Sequence, residues 1–215
     1  ADIPGSSETL RLIQRGAEFS IMLGANELMN SRLSGSEEAL ATLACAKLAS
    51  RDNPRVLIGG LGMGFTLRAA LAELGSDAEV IVAELVPAVV AWAKGPMAAH
   101  HGTSLSDPRT VIVTDDVAKL IRDGDAQYDA LLLDVDNGPD GLTKGANDHL
   151  YSHDGLVRAW RALRHGGVLA IWSAAPDKAF ANRFGDAGFT VEESIVRANK
   201  GKSGARHVIW LGVKL

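Results

Sequence analysis

From Arg55 onward, short apolar runs alternate with longer mixed stretches. Val56–Ile58, Val80–Ala83, Val111–Val113, Ala130–Leu133 and Val168–Trp172 carry no charge, the pattern of strands buried on both faces. Between them, Thr66–Leu74, Pro87–His100, Val117–Arg122 and Ser152–Leu163 read as helices. Strand–helix alternation predicts a parallel sheet covered on both sides. The ending changes rhythm: Ala179–Ala187 is a helix, while Thr190–Arg197 and Arg206–Val213 are strands joined by a short loop. Those two strands must be antiparallel, because a parallel pair needs a long crossover. The expected architecture is α/β, with five parallel strands and a terminal antiparallel hairpin making one seven-stranded sheet.

The first 35 residues have a different texture. Ser6–Arg15 suits a short helix or an extended arm, and Glu18–Leu23, a Gly24-Ala25-Asn26 turn and Glu27–Arg32 predict a small β-hairpin. Ser34 in a cap position ahead of Glu37 and Glu38 marks a helix start, followed by an alanine- and leucine-rich helix over Ala39–Ser50. Cys45 falls in that apolar run as a small core residue. The expected division is an N-terminal arm and hairpin, residues 1–35, and a Rossmann-like domain, residues 36–215.

Composition narrows the class of partner. A single cysteine excludes a disulfide framework, a cysteine-based zinc site and a redox CxxC pair, and it suits a reducing cytoplasm. No metal site is expected. The apolar runs are far shorter than the ~20 residues of a membrane span, and no basic segment precedes an apolar one near the start. With 26 acidic against 22 basic residues and 5% aromatics, the chain lacks the character of a nucleic-acid binder. The expected partner is a small molecule. Glycine is abundant, at 23 residues, and its placement matters more than its number.

Gly60-Leu61-Gly62-Met63-Gly64 follows a strand and opens a helix, where a cofactor loop belongs. Phe65 breaks the GxGxxG spacing, which weighs against a dinucleotide pyrophosphate. Glu84 ends the second strand, where an acid can accept hydrogen bonds from ribose hydroxyls. Asp115 and Asp116 end the third: the first is placed to accept from an adenine amino group, and the second to cap the next helix as well. These strand ends share the carboxyl edge of the sheet, where open α/β folds bind ligands. The fourth strand ends in Asp134-Val135-Asp136-Asn137-Gly138-Pro139. Asp134 directly follows the apolar run; beside a sulfonium centre such an acid attracts the cation, orients a nucleophile or accepts its proton. Asp136 and Asn137 serve either the acceptor or a turn. His149 and Tyr151 either wall the acceptor pocket or simply open the next helix. His100-His101 reads as a solvated helix end, Gly201-Lys202-Ser203 as a hairpin loop, and Trp160 and Trp210 as packing.

Five parallel strands with a terminal hairpin form the sheet of class I methyltransferase-like folds. Arg55–Leu71 (RVLIGGLGMGFTLRAAL), Val80–Val90 (VIVAELVPAVV), Asp107–Asp116 (DPRTVIVTDD), Tyr128–Pro139 (YDALLLDVDNGP) and Ala162–Val168 (ALRHGGV) resemble the spermidine synthase family. The Glu27–Arg32 strand resembles that family's small N-terminal β element. The resemblance implies S-adenosyl-type nucleosides as ligands, with Glu84 on the ribose, Asp115 at the adenine, Asp134 as the central acid, and a homodimer. Departures accompany it. Met63 replaces the acid implied to hold the aminopropyl ammonium of the decarboxylated donor, Asn137 replaces a second acid and Trp172 a glutamine. The tyrosine implied near Ala39–Leu40 is missing.

An intact nucleoside half beside an altered amine half leads to a first reading as an S-adenosylmethionine-dependent methyl transferase acting on a small acceptor. The alternatives are an aminopropyltransferase using decarboxylated S-adenosylmethionine to make polyamines, or a non-catalytic adenosyl-binding protein. A nicotinamide-dinucleotide protein fits the glycine spacing and the terminal hairpin worst.

Overall fold

Leu10–Arg15, open between helix and arm in the sequence, is a strand in the computed structural model, which describes residues 1–4, 7–135, 148–199 and 204–215. This β1 pairs antiparallel with β2 (Glu18–Leu23), which pairs with β3 (Asn26–Asn30), so the expected hairpin is a three-stranded sheet. Alternation explains it. Phe19, Ile21 and Leu23 are buried on one face together with Leu10, while Glu18, Arg11 and Arg15 stay in water. The buried face joins the same apolar cluster as Leu40 and Leu61.

After α1 (Gly35–Ala46), strands and helices alternate as the apolar runs predict. They are β4 (Arg55–Gly59), α2 (Phe65–Glu73), β5 (Glu79–Ala83), α3 (Pro87–Lys94), α4 (Ala98–His101), β6 (Thr110–Val113), α5 (Val117–Asp123) and β7 (Tyr128–Leu133). Then come α6 (Asp148–Tyr151), α7 (His153–Ala162), β8 (Leu163–Ser173), α8 (Lys178–Asp186), β9 (Phe189–Arg197) and β10 (Arg206–Lys214). The sheet order is β6-β5-β4-β7-β8-β10-β9, with the first five strands parallel and β10 antiparallel to both its neighbours. Successive residues feed opposite cores. Val56, Ile58, Ala130 and Leu132 join one cluster, whereas Leu57, Leu131 and Leu133 join the other. Among the described residues no helix is long and apolar enough to cross a membrane.

Three local expectations change. The helix expected over Pro87–His100 breaks after Lys94, because Pro96 lacks an N–H and its ring clashes with the preceding turn. The helix that Ser34 was expected to cap does start at Gly35, though Ser34 makes no side-chain cap bond, and it ends at Ala46 rather than Ser50. Gly35 N–H donates to Ala198 O at 2.8 Å, and a Cβ on Gly35 would lie 2.7 Å from Arg197 O. The end of β9 therefore pins the start of α1, and the contact needs a glycine. Finally, His101 is not solvated; its ring is wholly buried against Gly64.

Cys45 is buried as expected, and burial pushes its thiol up to about 12. Trp210 is core, while Trp160 is half-buried under the Lys214 ammonium, 3.9 Å from its ring centre. The Lys202 loop, residues 200–203, lies outside the described residues, although its flanks pair as a hairpin.

Candidate functional site

Strand order reverses between β4 and β7, and the crevice outside that point is where open α/β sheets take ligands. The chain leaves β4 tied to both neighbours. Gly60 N–H donates to Ala83 O at 2.9 Å, and Asp134 N–H donates to Gly59 O at 3.1 Å. Gly60 has φ +91°, and a Cβ there would lie 2.7 Å from the Asp134 carbonyl oxygen. Both the torsion and the approach require glycine. Gly62 and Gly64 also have positive φ, and their open sides are filled by Met29 Sδ and the His101 ring. The glycines expected to admit a ligand thus also admit β3 and α4 against the loop.

Glu84 is 7% exposed and braces the same loop. Its two oxygens accept the amides of Leu61 and Val86, each at 2.9 Å. Burial pushes this carboxyl up and the amide bonds oppose that shift. The Gly62 amide acts on it as well, and a carboxylate has about four acceptor positions, so the loop does not use them all. Asp115 takes Lys119 Nζ at 2.5 Å and the Asp116 amide at 2.9 Å; the Lys119 bond holds it below its ordinary range. Asp116 caps α5 through the Ala118 amide at 2.8 Å and lines a cleft of about 240 Å³ with His149, Ser152 and Arg158. Tyr151, read either as an acceptor wall or as part of a helix entry, is 3% exposed. Its hydroxyl donates to Val135 O at 3.1 Å and its ring stands edge-on to Phe180, so it supports the strand end from inside. Asp136 and Asn137 lie outside the described residues.

Two acids of β7 contrast sharply. Asp129, at the amino edge, is 2% exposed and neutralised by Arg51, Arg164 and the Arg55 amide. Asp134, at the carboxyl edge, accepts the Thr66 hydroxyl at 2.7 Å. Burial pushes its carboxyl up to about 6, with the Thr66 bond opposing. A second acid faces it. Glu37, in the first turn of α1, is pushed up to about 7 by burial and then by the Asp134 charge. Thr66 ties their segments together, because the hydroxyl that donates to Asp134 also lies 3.4 Å from the main-chain carbonyl oxygen of Glu37. Two neighbouring carboxyls withdrawn from water cannot both ionise cheaply, so each raises the proton affinity of the pair.

Glu37, Thr66, Ser36 and His207 were missed in the sequence, where Ser36-Glu37 looked like a solvated helix start. The available signal was topological: a helix beginning beside the carboxyl edge points its first-turn acids at the crevice. Met63, standing where an acid was implied, is 3% exposed and joins the core rather than the crevice. Trp172 is edge-on to His207, with ring centres 4.7 Å apart. No group of three metal-ligating side chains occurs among the described residues.

His101 makes the loop acid-sensitive. Neither ring nitrogen has a partner among the described residues, and burial, then Arg68 and His100, push its pKa down to about 4. A group lowered on folding contributes stability that is complete above its unfolded value, 6.5, and lost as pH falls through the folded one. Denaturant unfolding at pH 7 and pH 4.5 should therefore show His101→Phe losing about 1–3 kcal/mol less than the wild type between the two. Equal losses would remove His101 as the cause.

No family model matches the chain. It is 32% identical over 124 residues to the polyamine aminopropyltransferase of Mycobacterium tuberculosis, covering 56% of this chain and 23% of that one. The chain thus spans about a quarter of the length of that curated relative. Among solved structures, spermidine synthase in complex with the transition-state analogue AdoDATO superposes with a TM-score of 0.76 at 18% identity, covering 98% of this chain and 70% of the other. The Thermotoga maritima spermidine synthase gives 0.75 at 18% identity, covering 100% and 71%. The names of these relatives favour aminopropyl transfer over the methyl transfer put first on sequence grounds. The departures at Met63, Asn137, Trp172 and the missing tyrosine were too narrow a basis, since altered walls of an amine pocket say little about which carbon moves. Over 124 residues of sequence the chain is similar to a polyamine aminopropyltransferase, and its Rossmann-like, class I methyltransferase-like fold is similar to that of spermidine synthases.

Proposed function

We propose that this chain carries the transfer site of an aminopropyltransferase, moving the aminopropyl group of decarboxylated S-adenosylmethionine onto an amine. One observation carries the reading: a half-buried acid pair, Asp134 and Glu37, stands at the reversal point of the sheet beside a glycine loop. An amine arrives at neutral pH as an ammonium ion and must lose a proton before its lone pair can attack. An acid held near the working pH suits that task. The two acids also attract the cation, whereas a neutral acceptor would leave their burial uncompensated.

The residues fit the nucleoside half of the donor. The Gly60–Gly64 backbone and the spare lone pairs of Glu84 would hold the ribose end, and Asp115 and Asp116 border the adenine side. When bound, the donor supplies an aminopropyl carbon activated by its sulfonium. Asp134 takes a proton from the acceptor nitrogen, which then bonds to that carbon in line as the carbon–sulfur bond breaks. The bonding pair stays with sulfur, so methylthioadenosine leaves neutral. Most of the acceleration comes from positioning and from the field of Asp134.

Calorimetric titration with decarboxylated S-adenosylmethionine, S-adenosylmethionine and methylthioadenosine, paired with an assay for methylthioadenosine release from diamines, tests the reading. The decarboxylated donor should bind at least tenfold tighter than the carboxylated one. Preference for S-adenosylmethionine with S-adenosylhomocysteine as product would replace it by methyl transfer, and binding without turnover of either would leave a nucleoside-binding protein.

A further inference from the structure

Glu37 lies in the first turn of α1, where a carboxylate ordinarily faces water. Here it heads a hydrogen-bonded line into β10. Its Oε2 accepts the Ser36 hydroxyl at 2.8 Å, and Ser36 Oγ lies 2.9 Å from His207 Nδ1. Ser36 is 1% exposed, and His207 is half-buried with its ring braced by Trp172. The groups facing Glu37 are Asp134 from the end of β7, Glu38 on its own helix and, through Ser36, His207; Arg68 of α2 acts on Glu38.

A serine hydroxyl has one proton, so the line has two polarities. With Glu37 ionised, Ser36 donates to Glu37 and the His207 Nδ1–H donates to Ser36. With Glu37 protonated, the carboxyl donates to Ser36 and Ser36 donates to a bare Nδ1. Passing from the second state to the first moves two protons one place each. Glu37 becomes a carboxylate, His207 becomes an imidazolium, and loss of its Nε2 proton to water restores a neutral ring. No other reactant is needed.

We propose that the Glu37–Ser36–His207 line is the proton outlet of the transfer site, with Glu37 a positioning residue that acts through Asp134. This rests on the transfer reaction proposed above, in which each turnover leaves one proton on Asp134. A buried acid that kept it would stall the next cycle. Glu37 is the neighbouring carboxyl that feels the Asp134 charge, and Thr66 ties their segments together, donating to the Asp134 carboxylate at 2.7 Å with the Glu37 main-chain carbonyl 3.4 Å away; in the proposed outlet the proton leaves Asp134 by way of that carboxyl.

Turnover of Glu37→Gln, Ser36→Ala and His207→Ala across pH 5–9, with and without added imidazole, tests the outlet. Each variant should lose about tenfold in kcat with KM for both substrates within twofold of wild type. Imidazole should restore His207→Ala, and the acid limb of Glu37→Gln should shift to lower pH because a single acid remains. Wild-type kcat and pH profile in all three variants, or losses that imidazole leaves untouched and that come with raised KM, would overturn the outlet. A wild type that releases no methylthioadenosine would sink the transfer reading instead. The line is then judged by ¹⁵N NMR of His207: a tautomer or titration midpoint that changes in Glu37→Gln supports it, and an unchanged ring overturns it.

Discussion

Asp134→Asn is expected to lower turnover by about 10²–10⁴-fold while nucleoside affinity stays within a few-fold of wild type. The substitution keeps the side-chain shape, the backbone bond to Gly59 and an oxygen for the Thr66 hydroxyl. It removes the one property the reaction needs, a site for the proton of the acceptor. Stability separates this loss from unfolding. Asp134 has its pKa raised on folding to about 6, so its contribution is present below the unfolded value and is lost as pH rises through about 6. The variant should therefore be more resistant to denaturant than the wild type at pH 7.5 and show no such gain at pH 4. Lower stability at both values would assign the lost activity to damage instead.

Gly60→Val should abolish nucleoside binding and destabilise the protein by about 2–4 kcal/mol. Two costs combine: a β-branched residue at φ +91°, and a Cβ 2.7 Å from the Asp134 carbonyl oxygen. Since that carbonyl is backbone, relief requires moving β7 or the loop, and either displaces the acid from the crevice. Gly24→Val is the matched control, having positive φ but nothing within 4 Å of a Cβ. It should lose stability from backbone strain alone and bind methylthioadenosine normally. Equal binding losses in both variants would show that strain, rather than the approach to Asp134, governs the site.

How far the site could be read from the chain depended on the range of the interactions that build it. Gly60, Glu84, Asp115 and Asp134 each end or follow a charge-free run, so strand ends and candidate crevice residues were visible together. His101 was misjudged because its burial comes from packing against Gly64, a contact between α4 and the loop. Tyr151 was misplaced for a similar reason: Phe180 and Val135 draw it inward, and nothing in its neighbouring residues distinguishes a pocket wall from a buttress. Glu37 was missed because its significance lies in Asp134 and His207, which reach it from other strands.

The sequence alone determined the sheet. Strands buried on both faces must be continuously apolar, and a parallel sheet must interpose helices, so local composition carried the strand positions and their sense. It also determined which acids close the strands, because a charge can follow a buried run only where the chain comes out of the core. Only the tertiary structure decided what those acids do. Thr66 reaches Asp134 across 68 residues, and Ser36 reaches His207 across 171. A carboxyl's proton affinity is set by burial and by the nearest charge, and neither exists until distant segments meet. Folding thus leaves Asp129 satisfied by two arginines and an amide at one edge of the sheet, and at the other sets Asp134 near a second acid, Glu37, with the proton affinity of both raised.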